Sequence, residues 1–509
     1  MIQMHSAEQI REAEEAAFRV TPEGTLMQRA SHALAVSCAN LLSDVRGAVV
    51  GSRVVLLVGS GNNGGDALWA GSMLARRGCR VDAITLSDRF HATGAAALRA
   101  QGGCLSIWIR DDEQKLLLER ADLVIDGILG IGGSGPLRAD ASQLAADVRD
   151  SGALVVSVDV PSGVDADTGA VPGAAIRADV TVTFGAMKPG LLVSPGCFHA
   201  GAVRLIEIGL DFAAAAPVAL ALNDIDVAMR LPEPEEDAYK YSRGVVGLAV
   251  GSAPYRGAAL LATAGARHAD VGMVRLLDRL DGVAPMVVAQ YPDVVIDGAA
   301  PAEQVRATAW ACGSGFIGDA DDESTVLAVL SSRRPVVLDA GALTVVAGSA
   351  RVRDLIAERW SSGLPTVLTP HEGEFERLCP GLLNQGRLSA ARAAARSLSC
   401  IIVLKGAGTI VVGPSGPAFI DTEGGAELGV AGSGDILTGL VAALLARARV
   451  HDLRHESVEV VEVVEAVAVA VWLHGLAGRL AAHDGPVTAP DIAGQVRRAV
   501  QVVRSGAAP

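Results

Sequence analysis

The sequence has few aromatic residues and few cysteines, and each scarcity excludes a class of protein. Aromatic residues make up 3% of the chain, whereas all apolar residues reach 50%. The interior must therefore be built mostly of Ala, Val and Leu, which is typical of parallel strands buried between helices. The seven cysteines form no C-x-x-C pair, which argues against zinc sites and disulfide frameworks and favours reduced, cytoplasmic thiols.

A basic excess and an N-terminal apolar run are also lacking. The net charge is −14, which argues against binding to nucleic acid or an anionic membrane, because phosphate groups require Lys and Arg. Residues 1–11 contain no signal-peptide core. The apolar run from Val463 to Leu473 contains Glu465 and, at this length, is too short to span a bilayer. These features predict a soluble, cytoplasmic protein.

The aliphatic runs predict an α/β fold with two domains. Ser6 and Gln9 form a capping-box pattern that should open a helix. Short aliphatic runs end in Gly, Asp or Pro and alternate with helical stretches, which indicates parallel sheets covered by helices on both faces. The predicted strands are Val54–Val58, Val81–Leu86, Leu123–Ile125, Leu154–Val158, Val180–Thr183, Val245–Val250, Val336–Leu338, Thr366–Leu368 and Ile401–Leu404. An Ala run and a Pro-rich acidic stretch predict a linker over residues 213–240, which separates domains over residues 1–212 and 241–509.

A glycine-rich loop follows the first strand of the N-terminal half. Gly59, Gly61 and Gly64 satisfy G-x-G-x-x-G, a pattern that lets backbone amides approach a phosphate at a helix N-terminus. The pattern alone is weak, and Asp82, the candidate ribose partner, lies inside its strand rather than at its end. The strand–loop–helix context favours ligand binding over a purely structural turn.

Two further loops follow strands of the same half, over residues 126–136 and 159–165. Loops at the carboxyl ends of parallel strands converge on one crevice. A single Asp there could be only a helix cap or a turn former, but three such loops together predict a site. The oxygen donors of Asn63, Asp126 and Ser162 suit a hard cation rather than zinc. Asp159 is the candidate proton-transfer group.

The segments G-S-G-N-N-G-G-D (residues 59–66), D-V-P-S-G-V-D (159–165) and K-P-G (188–190) resemble the YjeF N-terminal family of NAD(P)H-hydrate epimerases. The resemblance implies a Rossmann-like three-layer α/β/α sandwich that interconverts the R and S hydrates, NADHX and NADPHX, with a bound K⁺. It implies that Asn63, Asp126 and Ser162 hold the ion. The implied hydrate-binding residues are Asn62, Asn63, Gly64, Gly65, Asp66, Gly130, Ile131, Gly132, Gly133, Ser134, Gly135, Pro136 and Asp159. The chain departs from the family pattern at Ala67, usually Gly, and at Ile131, usually Thr.

Two glycine-rich loops in the C-terminal half could also bind a phosphate group. Gly432 and Gly434 precede a helix and can form an amide-lined anion site, where Asp435 could accept a hydroxyl proton during phosphoryl transfer. Asp is also an ordinary helix cap. Lys405 and the glycines after it could reach a polyphosphate, or could be an exposed strand end. His371 could equally be an ordinary polar loop residue or part of a binding site.

The segments T-P-H-E-G-E-F (residues 369–375), K-G-A-G-T (405–409) and A-G-S-G-D (431–435) resemble the YjeF C-terminal family, the NAD(P)H-hydrate dehydratases. The resemblance implies a ribokinase-like α/β domain that uses Mg²⁺ and an adenine nucleotide; the fused architecture favours ADP. The implied hydrate-binding residues are Ala253, Gly315, His371 and Asp435. The implied nucleotide-binding residues are Lys405, Gly406, Ala407, Gly408, Thr409 and Gly434. Gly341 stands where this family usually has Asp. The implied catalytic residues of the two halves are Asp159 and Asp435.

Two other hypotheses remain open at this level. An oxidoreductase domain fused to a small-molecule kinase would explain the two glycine-rich loops but not D-V-P-S-G-V-D or T-P-H-E-G-E-F. A non-catalytic scaffold would not need Asp159 or the asparagine loop. His451 and His455 have metal-like spacing, but their charged neighbours favour a solvated helix face. The sequence also predicts a homo-oligomer that binds neither nucleic acid nor membrane.

Overall fold

The computed structural model describes residues 1–109, 111–231, 233–234, 236–279, 282–298, 302–448, 460–483 and 485–506. The chain divides into two compact units, Gln3–Val218 and Ala219–Pro509, the latter joined by Met1–Ile2. His451 and His455 lie outside the described residues.

The first unit is built on a seven-stranded, all-parallel sheet with strand order β4-β3-β2-β5-β6-β7-β8. Strand β1, Ile2–Met4, instead lies at the edge of the larger sheet of the second unit. The strands are β2 Arg53–Val58, β3 Arg80–Thr85, β4 Cys104–Ile107, β5 Leu123–Gly127, β6 Leu154–Val158, β7 Val180–Phe184 and β8 Ala202–Ile206. The helices are α1 Ala7–Phe18, α2 Thr25–Arg46, α3 Asn62–Arg76, α4 Ala92–Ala100, α5 Asp112–Glu119, α6 Ala139–Ser151 and α7 Cys197–Ala200.

Alternate residues of β2 pack into two different hydrophobic clusters. Val54, Leu56 and Val58 pack with residues of α2, α3 and α4 on one face. Val55 and Leu57 pack with residues of α5 and α6 on the other. Because side chains alternate across a strand, this division shows helices on both faces of the sheet. The predicted three-layer sandwich is confirmed, as is the capping box of Ser6 and Gln9 at the start of α1.

The second unit contains a sheet in the order β1-β9-β18-β17-β16-β15-β14-β13-β10-β11-β12, parallel from β16 to β12. Strand β17 is antiparallel to both of its neighbours. The strands are β9 Ala219–Ala221, β10 Val245–Ala249, β11 Met273–Leu277, β12 Val295–Asp297, β13 Ala309–Cys312, β14 Val336–Leu338, β15 Thr366–Leu368, β16 Ile401–Leu404, β17 Ile410–Val412 and β18 Ala418–Ile420. The helices are α8 Asp224–Arg230, α9 Arg256–His268, α10 Val283–Gln290, α11 Ala320–Leu330, α12 Gly341–Gly348, α13 Ala350–Ser361, α14 Glu372–Leu378, α15 Arg387–Leu398, α16 Ser433–Arg447, α17 Val460–Ala482 and α18 Ala489–Ser505.

Part of the predicted linker is regular structure. Within residues 213–240, β9 is fully buried and pairs with β18, and α8 is closed by a capping box at Asn223. The Ala run and the acidic prolines suggested a linker, but the short apolar segment between them contains a buried strand of the second sheet, Ala219–Ala221, which lies next to the edge strand β1. The division between the two units falls at this strand.

Helix α17 corrects a second expectation from the sequence. The apolar run continues past Leu473, so the helix has 23 residues and is long enough to cross a membrane. Its apolar window, Glu462–Ala482, is 83% buried inside the protein. Helix α17 is therefore a core helix, and Glu465 is held by Arg230 of α8.

Candidate functional sites

A cavity of about 670 Å³ lies at the carboxyl ends of β2, β5 and β6 in the first unit. Strand β2 continues to β3 on one side and neighbours β5 on the other, so the strand order reverses at this point. Such a reversal opens a crevice in doubly wound sheets. We call this cavity, lined by Ser60–Asn63, Ile128–Gly133, Asp159 and Lys188 among others, the N-terminal crevice.

Asp126 fixes the two loops that form the floor of the N-terminal crevice. Its carboxylate accepts hydrogen bonds from the hydroxyls of Ser157 (2.9 Å) and Ser162 (2.6 Å) and from the amides of Ser162 (2.9 Å) and Ile128 (3.3 Å). Burial raises the pKa of Asp126, although the hydrogen bonds oppose that shift. No Lys or Arg contributes to this environment, so the carboxylate has hydrogen-bond donors but no cationic partner among the described residues.

Asp159 and Lys188 form a buried ion pair at one wall of the N-terminal crevice. Asp159 has a left-handed backbone, with φ at 66°, which is strained for a residue other than Gly. Lys188 Nζ donates to Asp159 Oδ1 (2.6 Å), to Thr183 Oγ1 (2.8 Å) and to Phe184 O (2.8 Å), which uses all three of its protons. Asp159 Oδ2 accepts from the amide of Ile131 (3.2 Å). The ion pair thus holds one carboxylate oxygen and leaves the other close to the crevice loop.

We expect Lys188→Met to lower the free energy of unfolding of the first unit by about 3–5 kcal/mol, because it leaves a buried carboxylate without its cation. Urea denaturation of the intact chain measures this change. Lys115→Met is the matched control, since Lys115 pairs with Glu119 on the surface of α5 with both side chains at least half exposed. Surface pairs contribute about 0–1 kcal/mol. Equal stability of the two variants would contradict a structural role for Lys188.

Two further carboxyl groups line the N-terminal crevice, Glu14 of α1 and Asp66 of α3. Burial is the main cause that raises the pKa of each, and the charge of Asp159 adds to it. The pKa of Asp66 lies well above the usual aspartate value, although Ser31 Oγ donates to it (3.2 Å). The crevice therefore combines one ion pair with two carboxyl groups whose pKa values are raised by burial.

The structure brings together only part of the set predicted for the first half. The predicted residues that line the crevice are Asn62, Asn63, Asp66, Gly130, Ile131, Gly132, Gly133 and Asp159. Gly64, Gly65, Asp126 and Ser162 are buried beneath it, and Ser134, Gly135 and Pro136 are exposed beyond its lining. Sequence analysis named Lys188 only as the first residue of the segment K-P-G. Its distinguishing feature in the sequence is that it is a lysine within an otherwise apolar segment. Glu14 had no sequence signal beyond its place in an amphipathic helix.

The two departures from the family pattern have local explanations. The Ala67 methyl is fully buried and occupies the space beside Gly127, so a side chain at residue 127 would clash with it. Ile131 contributes through its backbone: its amide donates to Asp159, and its carbonyl accepts from Arg11 (2.7 Å). These backbone contacts do not require the missing threonine hydroxyl.

A second cluster of polar residues lies at the carboxyl ends of β13 to β16 in the second unit. Asp339, which is 2% exposed, accepts from Lys405 Nζ (2.9 Å), Thr369 Oγ1 (2.7 Å) and Ser314 Oγ (3.3 Å). Burial acts to raise the pKa of Asp339, but the Lys405 charge and hydrogen bonds from Lys405, Thr369 and Thr438 together outweigh it and hold the pKa below its usual value. We call this cluster, with Asp435 and His371, the C-terminal crevice. It lies next to the point between β10 and β13 where the strand order of this sheet reverses.

Asp435 lies in the first turn of α16, facing Asp339 and Lys405. Burial is the largest cause that raises its pKa to about 6, and the charge of Asp339 raises it further. A hydrogen bond from Ser314 and the charge of Lys405 act in the opposite direction. A carboxylate whose pKa lies near neutrality is suited to accept a proton in the reaction.

The N-terminus of α16 and the loop after β16 form an anion-binding arrangement. Helix α16 has no side-chain cap, and its N-cap, Gly432, is left-handed at φ 94°. A Cβ built at Gly434 would lie 3.3 Å from Lys405 Nζ, so the lysine approaches the exposed amides of the helix. Helix N-termini with a nearby lysine bind phosphate.

His371 is first of all a helix cap. Its Nδ1 accepts from the amides of Gly373 (3.0 Å) and Glu374 (3.3 Å), and Glu374 Oε2 accepts from the amide of His371 (2.9 Å). This arrangement assigns the ring proton to Nε2, which lies 3.5 Å from Glu374 Oε2. Glu374 also lies 3.8 Å from Lys405 and so ties the cap to the anion-binding arrangement.

The predicted residues of the second half are spread over neighbouring loops. Ala253 is exposed after β10, and Gly315, left-handed at φ 78°, packs against the same loop. The glycines of the loop after β16 are also left-handed, at φ 143° and 66°. The predicted residues of that loop are Lys405, Gly406, Ala407, Gly408 and Thr409. Thr409 Oγ1 donates to Gly406 O (2.9 Å) and thereby closes it.

Sequence analysis assigned no role to Asp339, Ser314 and Thr369. All three are buried polar residues at strand ends, and the sequence analysis included Thr369 only as the first residue of T-P-H-E-G-E-F. Gly341 also has a packing reason: a Cβ there would clash with the backbone of Phe316. The family carboxylate could not be accommodated without a shift of this loop.

The family models match both units. The model for the YjeF-related protein N-terminus matches residues 23–190, and the model for NAD(P)H-hydrate dehydratase matches residues 246–497. Proteins named bifunctional NAD(P)H-hydrate repair enzyme match nearly the whole chain. The Mycobacterium tuberculosis relative is 40% identical over 87% of this chain and 89% of its own length. The Mycobacterium leprae relative is 38% identical over 97% of both chains.

Solved structures are similar to the parts of the chain. The ADP/ATP-dependent NAD(P)H-hydrate dehydratase from Bacillus subtilis, co-crystallised with ATP and Mg²⁺, is 28% identical over 57% of this chain and 100% of its own, with a TM-score of 0.47. A yeast protein is 23% identical over 37% of this chain and 83% of its own, with a TM-score of 0.34. On the strength of the two family models and the full-length relatives, the chain belongs to the family of bifunctional NAD(P)H-hydrate repair enzymes.

Proposed function

We propose that this protein restores NADH and NADPH from their hydrates, with the epimerase reaction in the N-terminal crevice and the dehydratase reaction in the C-terminal crevice. The observation that carries the proposal is that each unit has one reactive carboxylate beside a lysine at the carboxyl edge of its sheet, Asp159 with Lys188 and Asp435 with Lys405. Family membership favours this pairing over an oxidoreductase–kinase fusion or a scaffold. The reaction takes place in the cytoplasm, as predicted from the scattered thiols.

In the N-terminal crevice, we infer that Asp159 Oδ2 moves the hydroxyl proton of the hydrate. Inversion at the hydroxyl-bearing carbon requires a bond to that carbon to break and reform on the other face, and the hydroxyl proton must leave and return. Lys188 occupies Oδ1 and fixes the carboxylate orientation, so Oδ2 is the oxygen left for this transfer. Asn62, Asn63, Asp66 and the loop Gly130–Gly133 would hold the hydrate against it.

The donors around Asp126 fit the K⁺ that the family resemblance implies. They are all oxygens, from the Asp126 carboxylate, the Ser162 hydroxyl and the Asn63 amide, whose nitrogen is turned away to Val158 O (3.0 Å). A monovalent cation would supply the positive partner that buried Asp126 lacks. Bound there, K⁺ would supply positive charge close to the crevice floor and order the loops that orient the substrate.

In the C-terminal crevice, we infer that Asp435 accepts the hydroxyl proton as the substrate oxygen attacks the terminal phosphoryl group of ADP, which leaves AMP. The phosphorylated oxygen is then a good leaving group: the ring nitrogen expels it as phosphate, and loss of a proton from the adjacent carbon restores the dihydropyridine. Lys405, Gly406, Ala407, Gly408, Thr409 and Gly434 would hold the nucleotide, and Ala253, Gly315 and His371 the hydrate.

Mg²⁺ would be held mainly by the nucleotide. Among the described residues no group of three His, Cys, Asp or Glu side chains could bind a metal ion. Mg²⁺ commonly uses one or two carboxylates together with substrate phosphates, so this donor set is compatible with it. Its contribution would be neutralisation of phosphate charge. Assembly into a homo-oligomer stays a prediction from the sequence.

The pKa of Asp435 predicts the pH dependence of dehydration. Because the base must be deprotonated, kcat/KM should fall about tenfold per pH unit below about pH 6. Ser314→Ala removes a hydrogen bond that lowers the pKa of Asp435, so this acidic limb should move to higher pH. The pH profile of NADH formation from the S hydrate measures both. An acidic limb that Ser314→Ala does not move would contradict the assignment of the limb to Asp435.

The experiment that tests the proposed function uses the two hydrate epimers separately with the intact protein. Without nucleotide, the pure R hydrate should convert to the R and S mixture, which chromatography detects, with no gain of NADH absorbance. With ADP and Mg²⁺, the S hydrate should yield NADH. Absence of both conversions would overturn the proposal and leave the scaffold hypothesis.

A further inference from the structure

A second large cavity lies at the opposite edge of the sheet of the second unit. Its volume is about 720 Å³, and it lies at the amino ends of β10, β13 and β14. The C-terminal crevice lies at the carboxyl ends of the same strands. Volumes of about 300–1,000 Å³ are typical of small-molecule sites. We call this cavity, lined by Tyr239, Tyr241, Arg243, Arg306, Arg334 and Arg447 among others, the arginine cavity.

The arginine cavity is strongly basic in a chain whose net charge is −14. Four arginines line it, and Glu233 is its only acidic lining residue among the described residues. Neither Arg306 nor Arg334 forms an ion pair within the described part of the chain. Unbalanced positive charge of this kind attracts an anion.

The two remaining arginines of the cavity, Arg243 and Arg447, both contact the carboxylate of Asp270. Arg504 of α18, which does not line the cavity, contacts the same carboxylate. The pKa of buried Arg447 is lowered to about 10, first by burial, and the charges of Arg504 and Arg243 also contribute. Asp270 is thus surrounded by several positive charges, three of which it contacts directly.

One wall of the arginine cavity presents aromatic rings as well as charge. The Arg306 guanidinium lies 3.9 Å above the ring of Tyr241, which holds that arginine in place. Tyr239 meets Tyr241 edge to face and is 59% exposed. A planar base can stack on such an exposed ring, while guanidinium groups bind phosphate through two parallel hydrogen bonds.

We propose that the arginine cavity binds a nucleotide at a site separate from both crevices, with its phosphates between Arg306 and Arg334 and its base against Tyr239. The site does not depend on the reactions proposed above. It lies at the amino ends of the strands, whereas the proposed dehydratase residues lie at the carboxyl ends. The chain would then bind more nucleotide than the C-terminal crevice alone accommodates.

Binding stoichiometry of the intact protein tests this site, with ADP, NADH and pyrophosphate as separate probes in calorimetry. Wild type should bind ADP at one more site than the double variant Arg306→Ser/Arg334→Ser. In that variant, the affinity of the additional site for ADP should fall at least about thirtyfold, because each lost charged hydrogen bond weakens binding about tenfold or more. Arg351→Ser is the matched control, because Arg351 is an exposed arginine of α13 outside the cavity. Pyrophosphate binding without ADP or NADH binding would overturn the nucleotide assignment.

Two further variants test the proposal even if the double variant folds poorly. Tyr239→Ser leaves all four arginines in place and should weaken ADP binding at the additional site while pyrophosphate binding is unchanged. Lys405→Met should remove the crevice site and retain the additional one. Identical ADP stoichiometry in wild type, the double variant and Tyr239→Ser would overturn the proposal.

Discussion

Asp435→Asn should lower kcat for NADH formation from the S hydrate by about 10²–10⁴-fold, the range typical of a lost general base. The amide has nearly the same shape as the carboxylate but cannot accept the hydroxyl proton. Because Asp435 repels Asp339 and has a raised pKa, its replacement should leave the stability of the second unit equal or higher. Absorbance of NADH, followed with saturating ADP and Mg²⁺, measures the loss.

Asp354→Asn is the control for this change. Asp354 is an exposed aspartate of α13, in the same unit and away from the crevice. It should retain wild-type kcat. A loss of less than tenfold in Asp435→Asn would contradict its role as the base and would point to Asp339 or Glu374 instead, which lie beside the same lysine.

Asp159→Asn should separate the two activities. Epimerisation should fall by about 10²–10⁴-fold, whereas dehydration of the S hydrate should proceed at the wild-type rate. With an R and S mixture, NADH absorbance should rise rapidly by the S fraction and then stop, while wild type continues to full recovery. The reason is that the R hydrate must pass through the N-terminal crevice before it can be dehydrated.

Asp150→Asn is the control for the first unit, because Asp150 is 71% exposed at the end of α6. It should show complete recovery. If Asp159→Asn also recovered all of the NADH at the wild-type rate, the N-terminal crevice would have no role in epimerisation. If it also lost dehydration of the S hydrate, the two activities would not be separable as proposed.

Periodicity and strand-end residues predicted many of the inner strands to within two residues, but they missed β11, β13, β17 and β18. Leu154–Val158 and Ile401–Leu404 agree residue for residue with the predicted strands, because buried parallel strands are short aliphatic runs that end where the chain turns. Strands at or near the sheet edges were missed as well. β4 and β8 carry exposed and polar residues, and β9 is three residues long within an apparent linker, so none has a periodic apolar signal.

The candidate sites could be located from sequence, but their internal pairing could not. Glycine loops and the long family motifs placed both crevices at strand ends. The partners of Asp159 and Asp339, in contrast, are lysines that lie 29 and 66 residues further along the chain. Which lysine reaches which carboxylate depends on strand order, and strand order is not encoded in any local pattern.

The departures from the family pattern at Ile131 and Gly341 also could not be interpreted from the sequence alone. From sequence they looked like lost functional groups. In the structure the residue 131 amide still reaches Asp159, and residue 341 has no room for a side chain. Backbone contacts and steric space are properties of the folded chain, so neither could be read from the sequence alone.

The most direct test of the central claim measures AMP and NADH together in one reaction. The wild-type protein would be mixed with epimerically mixed NADHX, ADP and Mg²⁺, with NADH followed by absorbance and AMP by chromatography. We predict one AMP for each NADH and recovery of both epimers. Recovery of NADH without AMP, or consumption of ADP without NADH, would contradict the proposed coupling of phosphoryl transfer to dehydration.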